Sequence, residues 1–278
     1  MKLEVEAKSC IICETAFIPM VDNILRCPRC GLLHSNQRAG FGNPIKGMTA
    51  IAHRNYATVA NALQKAMRLQ GAKILDVGCA EGGFTELMLL NAADPLGLEP
   101  DREAAKDALD KNLPVELVSF EAFAVSKQKY DAIVFNDVFE HIQDPVQALE
   151  KSCRLLKSSG FILINVPVSS GLIFRVVTLA ARLGIKSPFQ RIWADGLCSP
   201  HIYFYNENNL KALLAKYHFE LIESGRLVSL TSDGMYQRVR STYRPLPALI
   251  IAAVASLFVL TSKIFPADVI YLLFKKNE

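Results

Sequence analysis

The sequence predicts an α/β fold, a mainly parallel sheet with helices on both faces, preceded by a small module held together by four cysteines. Three observations predict it. Lys73 to Asn91 reads as a strand, a glycine turn and a helix; further apolar strands and helical patterns follow it; and two C-x-x-C pairs stand near the start. A chain of 278 residues has room for one α/β domain of ordinary size and a small appendage. The hydrophobic share of 51% is slightly high for a soluble domain, and the excess gathers towards the end of the chain. A formal net charge of +4 is too mild to imply a nucleic-acid surface, although it would not oppose docking to an anionic membrane.

The first residues, MKLEVEAKSC, include acidic side chains and lack the continuous apolar stretch of a secretory signal, which predicts a cytoplasmic location. In such a reducing compartment the cysteine pairs point to metal rather than to disulfides. Cys10 and Cys13 form one knuckle and Cys27 and Cys30 the other, with thirteen residues between them, and four thiolates complete a tetrahedron around zinc. Pro28 sets the second turn and Gly31 follows the last ligand, where backbone freedom is useful. The competing reading is a redox pair. A closed four-cysteine site leaves no open position for substrate, so the zinc is expected to be structural. Ser35 to Thr49, with Gly40, Gly42, Asn43, Pro44 and Gly47, has linker chemistry. It divides a zinc ribbon and linker (1–45) from the main domain (46–278). Ala50 to Leu69 then shows helical periodicity, with Arg54 and Tyr56 at its start.

Lys73 to Val77 is a short apolar strand that runs into Gly78-Cys-Ala-Glu-Gly-Gly83, and Phe84 to Asn91 continues as a helix. Glycines in that setting let the backbone approach a ligand closely, and the free N–H groups of a helix start favour its polar or negative parts. Asp94 to Glu99 reads as the next strand. Its terminal carboxylate is placed to accept hydrogen bonds from both hydroxyls of a ribose. Taken alone, the turn suits a nicotinamide-binding domain equally well.

The wording around the turn decides between these. The stretches ILDVGCAEGGF, LGLEPD, YDAIVFNDVFEHIQDP, LKSSGFILINVP and SPHIYFYNENNLKALL occur in the order seen in class I S-adenosylmethionine methyltransferases. The chain resembles that family from about Ala50 to the end, and within it the group containing the ubiquinone-biosynthesis O-methyltransferases and many bacterial small-molecule and glycan enzymes. The resemblance implies a Rossmann-like seven-stranded, mainly parallel sheet whose last strand is antiparallel. The family's D-x-G-x-G-x-G stands here as Asp76-Val-Gly78-Cys-Ala80-Glu-Gly82, with alanine in place of the middle glycine. By the same resemblance, Asp76, Gly78, Cys79 and Gly82 shape the methionine end of the cofactor site, and Glu99 takes the ribose. Pro100 and Asp101 would start the helix under the adenine, and Asn136, ending the fourth strand, would lie beside the cofactor. The thiols of Cys79, Cys153 and Cys198 read as buried or incidental.

Methyl transfer from a sulfonium is an in-line displacement, so an enzyme must position the acceptor and, for a hydroxyl, remove its proton. Asp137, Glu140 and His141 have the i, i+3, i+4 spacing that puts them on one face of a helical turn beyond the fourth strand. In the ubiquinone-type enzymes that this segment resembles, the matching acidic, acidic and histidine positions hold magnesium, so magnesium is a candidate cofactor here. Asp137 stands where glutamate is usual. The plainer reading is that Glu140 and His141 brace the loop before Asp144-Pro145, where the next helix starts. His201, in Ser199-Pro-His-Ile-Tyr-Phe-Tyr205, is the second candidate base, against a purely structural hydrogen bond. His34, His53 and His218 have no comparable setting.

Two segments are apolar enough to face lipid. The insertion Ser169 to Leu197 contains a helical pattern with Arg175, Thr178 and Arg182 on one narrow face and Leu172, Ile173, Phe174, Val176, Val177, Leu179 and Leu183 around the rest. Either it lids the acceptor site or it lies in a membrane interface, with Arg191 and Trp193 as anchors. Residues 246–264 are nearly all apolar, yet Asp268 to Lys275 reads as the final strand, antiparallel to Phe219 to Arg226, and must return to the same side. A helix that dips into one leaflet or packs beside the first amphipathic helix is therefore expected, with a buried core or dimer helix as the alternative.

The expectation is an S-adenosylmethionine-dependent methyltransferase at the inner face of the membrane, acting on an oxygen of a hydrophobic or lipid-linked small molecule or glycan precursor. An RNA base methyltransferase with a zinc ribbon is the rival enzyme reading, disfavoured by the mild charge and the apolar helices. A non-catalytic cofactor-binding scaffold is the rival outside enzymes.

Overall fold

The computed structural model describes residues 9–36, 49–125, 128–195, 199–230, 235–240, 244–249, 252–253, 256 and 264–277. The middle of the expected linker, Cys198 and most of the expected apolar helix over 246–264 lie outside these. The chain opens with three short strands, β1 (Ile18–Val21), β2 (Ile24–Arg26) and β3 (Leu33–Ser35), and α1 (Thr49–Ala66) leads to the main domain. There follow β4 (Lys73–Val77), α2 (Gly83–Leu90), β5 (Asp94–Leu98), α3 (Lys106–Asp110), β6 (Val115–Glu116), β7 (Tyr130–Asn136), α4 (Pro145–Leu155) and β8 (Leu156–Pro167). The insertion supplies α5 (Leu172–Arg182) and α6 (Ser187–Ile192). The chain then runs through β9 (Tyr203–Phe204), α7 (Glu207–Ala215), β10 (Phe219–Leu227), α8 (Met235–Arg240) and β11 (Val269–Lys276).

The main sheet has seven strands in the order β10-β11-β8-β7-β4-β5-β6. Its chain order reverses at β4, and β11 is inserted antiparallel between β8 and β10, with Ile270 opposite Val166 and Gly225 opposite Tyr271. The remaining neighbours among β8, β7, β4, β5 and β6 run parallel. Both faces are covered, so the central strands are continuous apolar runs whose successive side chains enter opposite cores. Ile74, Ala132, Val134 and Leu163 pack with Val59 and Leu63 of α1 and Phe84 and Met88 of α2. Leu75, Ile133, Phe135 and Ile164 pack with Leu149 of α4 and Leu210 and Leu213 of α7. This second core also takes in Cys10, Ile12, Phe17, Cys27 and Leu32 of the N-terminal module.

The N-terminal strands form their own sheet, β1-β2-β3-β9, in which β9 comes from the far side of the insertion: Leu33 pairs with Phe204 and His34 with Tyr203. A small third core joins Ile24 and Leu33 of this module to Phe174, Ala181, Phe189 and Trp193 of the insertion and to Phe204. Two expectations are corrected here. Trp193 is 0% exposed and packs on Phe189 and Phe204, so it is a core residue and not an interfacial anchor. Thr178 also turns inward with Phe174 and Ala181, because α5 rests on the N-terminal module rather than standing clear of the domain. Arg175, Val176, Leu179 and Arg182 of α5, with Leu183 and Ile185 beyond it, remain exposed. A third correction concerns α3, which begins at Lys106 and not at Pro100, since the Glu99 carboxylate holds the chain in a turn before it.

Candidate active site

The cofactor cradle stands where the strand order reverses, at the C-terminal ends of the parallel strands, the place where open α/β sheets take ligands. Gly78 (φ +68) and Gly82 (φ +79) need the left-handed region, and a Cβ on Gly78 would meet Val138 Cγ2 at 2.5 Å. Ala80 adopts the same region at φ +44, so the family's missing glycine is paid in backbone strain while the turn keeps its shape. The turn is fastened to β5, where the backbone N–H groups of Gly78 and Cys79 both donate to the Leu98 carbonyl at 2.8 and 3.0 Å. Gly82, at the N-cap of α2, offers no side chain, so no side chain caps the helix's first N–H groups.

Glu99 ties the cradle together. Its Oε2 accepts from the Ala80 N–H at 3.2 Å and its Oε1 from the Asp101 N–H at 3.0 Å. Burial raises its carboxyl above the ordinary value, and the two N–H groups oppose that rise. Asp76 is buried beneath the turn, its Oδ2 accepting from the Thr85 hydroxyl at 2.7 Å. Burial pushes its carboxyl up to about 7 against the Thr85 hydroxyl, which favours the ionised form. Asp76 therefore braces α2 from below. Asn136 is buried at the end of β7, while Pro100 and Asp101 are exposed. Cys79 is buried against Gly97, so the turn contributes its backbone there and not its thiol. From α1, His53 Nε2 and Tyr56 Cε2 would lie 3.2 and 3.1 Å from a Cβ on Gly83, which places both side chains over the cradle. The sequence had marked Tyr56 only as a helix-start residue.

The acceptor side is built from the short 3-10 turn Phe139–His141 and the segment before β9. Of the expected face, Glu140 and His141 have their ligand atoms together and Asp137 lies outside that group, though near enough for its charge to be felt by His141. Asp137, at φ +54, turns its Oδ2 towards Asn165 Nδ2 at 3.4 Å and opens to solvent; the surrounding protein and then Glu140 raise its carboxyl. His201 takes its place, and the ligand atoms of Glu140, His141 and His201 lie within 4.8 Å of one another. His141 Nδ1 stands 2.9 Å from the Pro200 carbonyl, so it carries the proton, and Nε2 is left as the free lone pair 4.0 Å from Glu140 Oε1. Glu140 is 1% exposed, and its Oε2 makes no hydrogen bond among the described residues. Burial pushes Glu140 up to about 8, lowers His141 and lowers His201 to about 3, the last reinforced by His141. Both shifts favour the neutral imidazole. Asp144, as expected, caps α4 by accepting from the Gln147 N–H at 3.0 Å, with Pro145 in the first turn.

At the N-terminal module, the sulfur atoms of Cys10, Cys13, Cys27 and Cys30 lie within 4.8 Å of one another, with Cys10–Cys30 at 3.5 Å and Cys13–Cys27 at 3.3 Å. Four convergent sulfurs from two C-x-x-C knuckles are the donor set and spacing with which a dication is held by thiolates. The donor set fits zinc.

A sheet reversing at a glycine turn, with a carboxylate at the end of the neighbouring strand, defines an α/β domain that binds a nucleoside cofactor. The chain belongs to the methyltransferase-domain family, whose model matches residues 51–224. It is 33% identical over 110 residues to the ubiquinone biosynthesis O-methyltransferase of Photorhabdus laumondii, covering 37% of this chain and 46% of that protein. To the mitochondrial ubiquinone biosynthesis O-methyltransferase of Homo sapiens it is 34% identical over 107 residues, covering 35% and 29%. The matched region thus spans about half the length of these curated relatives or less. Among solved structures, magnesium protoporphyrin IX methyltransferase from Synechocystis PCC 6803 shares the fold with a TM-score of 0.55 at 13% identity, covering 83% of this chain and 85% of that one. A protein of Galdieria sulphuraria assigned as a sarcosine dimethylglycine methyltransferase does so with a TM-score of 0.56 at 17% identity, covering 88% and 94%.

Proposed function

We propose that this protein transfers the methyl group of S-adenosylmethionine to an oxygen of a hydrophobic or lipid-linked small molecule, or of a glycan precursor, at the cytoplasmic surface of a membrane. The observation that carries the reading is the pairing of the Glu99 and Ala80 cradle with the His141 imidazole, which the Pro200 carbonyl orients in the 3-10 turn beyond β7. Glu99 would accept the ribose hydroxyls, and Gly78 to Gly83 with Asp76 and Asn136 would shape the methionine end. The cofactor supplies an electrophilic methyl group on a sulfonium, and the chain's task is alignment and proton removal.

His141 is the better base of the two histidines, because its Nδ1–H is anchored on the Pro200 carbonyl while its Nε2 lone pair stays available. His201, held near 3 by burial, packs against His141 and orients it. The partnerless Oε2 of buried Glu140 favours a second arrangement in which Glu140, His141 and His201 hold a divalent cation that orients the acceptor oxygen. Two imidazoles and one carboxylate suit a zinc- or manganese-like ion better than magnesium, which prefers oxygen ligands. In the N-terminal module Cys10, Cys13, Cys27 and Cys30 would hold structural zinc.

The membrane part of the reading rests on exposed apolar side chains. Leu179 and Leu183 are 60% and 75% exposed beside the exposed Arg175 and Arg182, and Leu246, Leu249 and Ile264 are exposed at the edges of the second apolar segment. No helix of the described residues is long and apolar enough to cross a membrane. The experiment is incubation of the protein with methyl-labelled cofactor and a fractionated cell extract. Label in a lipid or glycan fraction, lost in Glu99→Ala and His141→Gln, is the expected result; label in RNA alone would overturn it, and cofactor binding without any transfer would point to a scaffold.

A further inference from the structure

The acceptor side is clamped between the 3-10 turn and the four-cysteine module. On one side, Ile202 N–H donates to the Glu140 carbonyl at 2.8 Å and the Pro200 carbonyl accepts from His141. On the other, Ser35 N–H donates to the Ile202 carbonyl at 2.8 Å and β3 pairs with β9. The segment 200–205 carries His201 itself and therefore has His141 and its 3-10 turn on one flank and the metal-type module on the other, and neither flank belongs to the cofactor cradle.

The second knuckle reaches the same segment from its other end. Asn206 caps α7 by accepting from the Asn209 N–H, and Asn209 Oδ1 accepts from the Asn206 N–H, both at 2.9 Å. Each asparagine keeps its amide nitrogen for one further acceptor, the carbonyl of Cys30, at 3.2 and 3.5 Å. Asn209 is 1% exposed, so this carbonyl is the partner its buried NH2 group has instead of water. A helix cap needs only the oxygens. The NH2 groups serve the knuckle.

We propose that Asn206 and Asn209, through the Cys30 carbonyl, are positioning residues that make the four-cysteine module a structural wall of the acceptor site, fixing His201 and thereby His141. The module's task is then to hold segment 200–205 in register, not to bind nucleic acid or substrate. The inference rests on placing the acceptor beside these histidines, but its readouts are taken without acceptor, so failure of the link and failure of the reaction reading are separate results.

The test is the full-length, zinc-loaded double variant Asn206→Asp/Asn209→Asp. Aspartate keeps the oxygen that each capping bond uses, and acidic residues suit a helix start, but a carboxylate cannot donate to the Cys30 carbonyl and repels it. Hydrogen exchange over 200–205 should rise about tenfold or more in the variant and in wild-type protein stripped of zinc. The imidazole resonances of His141 and His201 should shift with it. Exchange in α7, zinc content of the loaded variant and affinity for S-adenosylhomocysteine should stay as in wild type. Unchanged exchange at 200–205 with unmoved imidazole resonances would overturn the proposal. An equal rise in α7 would also overturn it, since that would mean the helix cap and not the knuckle link had been lost.

Discussion

Glu99 and Ala80 are joined by a 3.2 Å hydrogen bond from the Ala80 backbone nitrogen to the Glu99 carboxylate, so the residue expected to hold the ribose also fixes the one irregular position of the glycine turn. Glu99→Ala removes both the ribose acceptor and this tie. A charge-assisted hydrogen bond contributes about 1.5–3 kcal/mol, so affinity for S-adenosylhomocysteine should fall about 10- to 100-fold, measured by titration calorimetry. Glu99→Gln, which keeps one acceptor oxygen, should fall between the two. Equal affinities in all three proteins would remove Glu99 from the ribose site.

Ala80 at φ +44 carries a Cβ where the left-handed region disfavours one. Ala80→Gly should relieve about 1 kcal/mol of strain, raising the Tm of the cofactor-bound protein or tightening the cofactor. The gain is partly offset by the larger unfolded-state entropy of glycine. A lower Tm together with weaker binding would show that the alanine is accommodated without strain.

Asp76 gives the apo protein a pH dependence. Its folded carboxyl stands at about 7, above its unfolded value, so folding favours the protonated form and stability falls as pH rises from about 4 towards 7. Asp76→Asn should flatten this slope in thermal melts of the apo protein. The positively charged cofactor should also reduce the slope in wild type, because it favours the ionised carboxylate. Melts of apo wild type and Asp76→Asn with the same slope would refute the assignment.

His141→Gln should lower kcat by about 10²- to 10⁴-fold if His141 takes the acceptor's proton, with cofactor affinity unchanged. Because burial holds the imidazole below its ordinary value of 6.5, the acid limb of the pH–rate profile should fall below that pH. Loss of cofactor affinity in step with kcat would place His141 in the cradle instead of the acceptor site.

Leu179 and Leu183 test the membrane reading. Replacing both with aspartate removes exposed apolar area and adds negative charge beside Arg175 and Arg182, so flotation with anionic vesicles should be lost while cofactor binding persists. Wild-type protein that fails to float would dispose of the reading outright.

The cofactor half of the protein was legible in the sequence because its signals are local. The strand, turn and helix of Lys73 to Asn91 and the carboxylate of Glu99 are fixed by short-range backbone rules, and the structure sets them where the spacing had implied. The antiparallel last strand followed from an apolar run whose partner, Phe219 to Arg226, was also readable. Helical periodicity misled in the insertion, since it reports that α5 has an apolar face but not what covers it. Trp193, expected as an interfacial anchor, lies inward for that reason, and Thr178 is buried while Arg175 and Arg182 of the same expected face are exposed.

What the sequence determined by itself is the fold class, the turn and the four-cysteine set, all written within short stretches of chain. Only the tertiary structure decided the acceptor side. It exchanged Asp137 for His201 beside Glu140 and His141, and it brought Cys30 to Asn206 and Asn209, which are some 180 residues away along the chain. Contacts of that separation leave no periodicity in the sequence, because they are chosen by the packing of β3 on β9 and of the insertion on both.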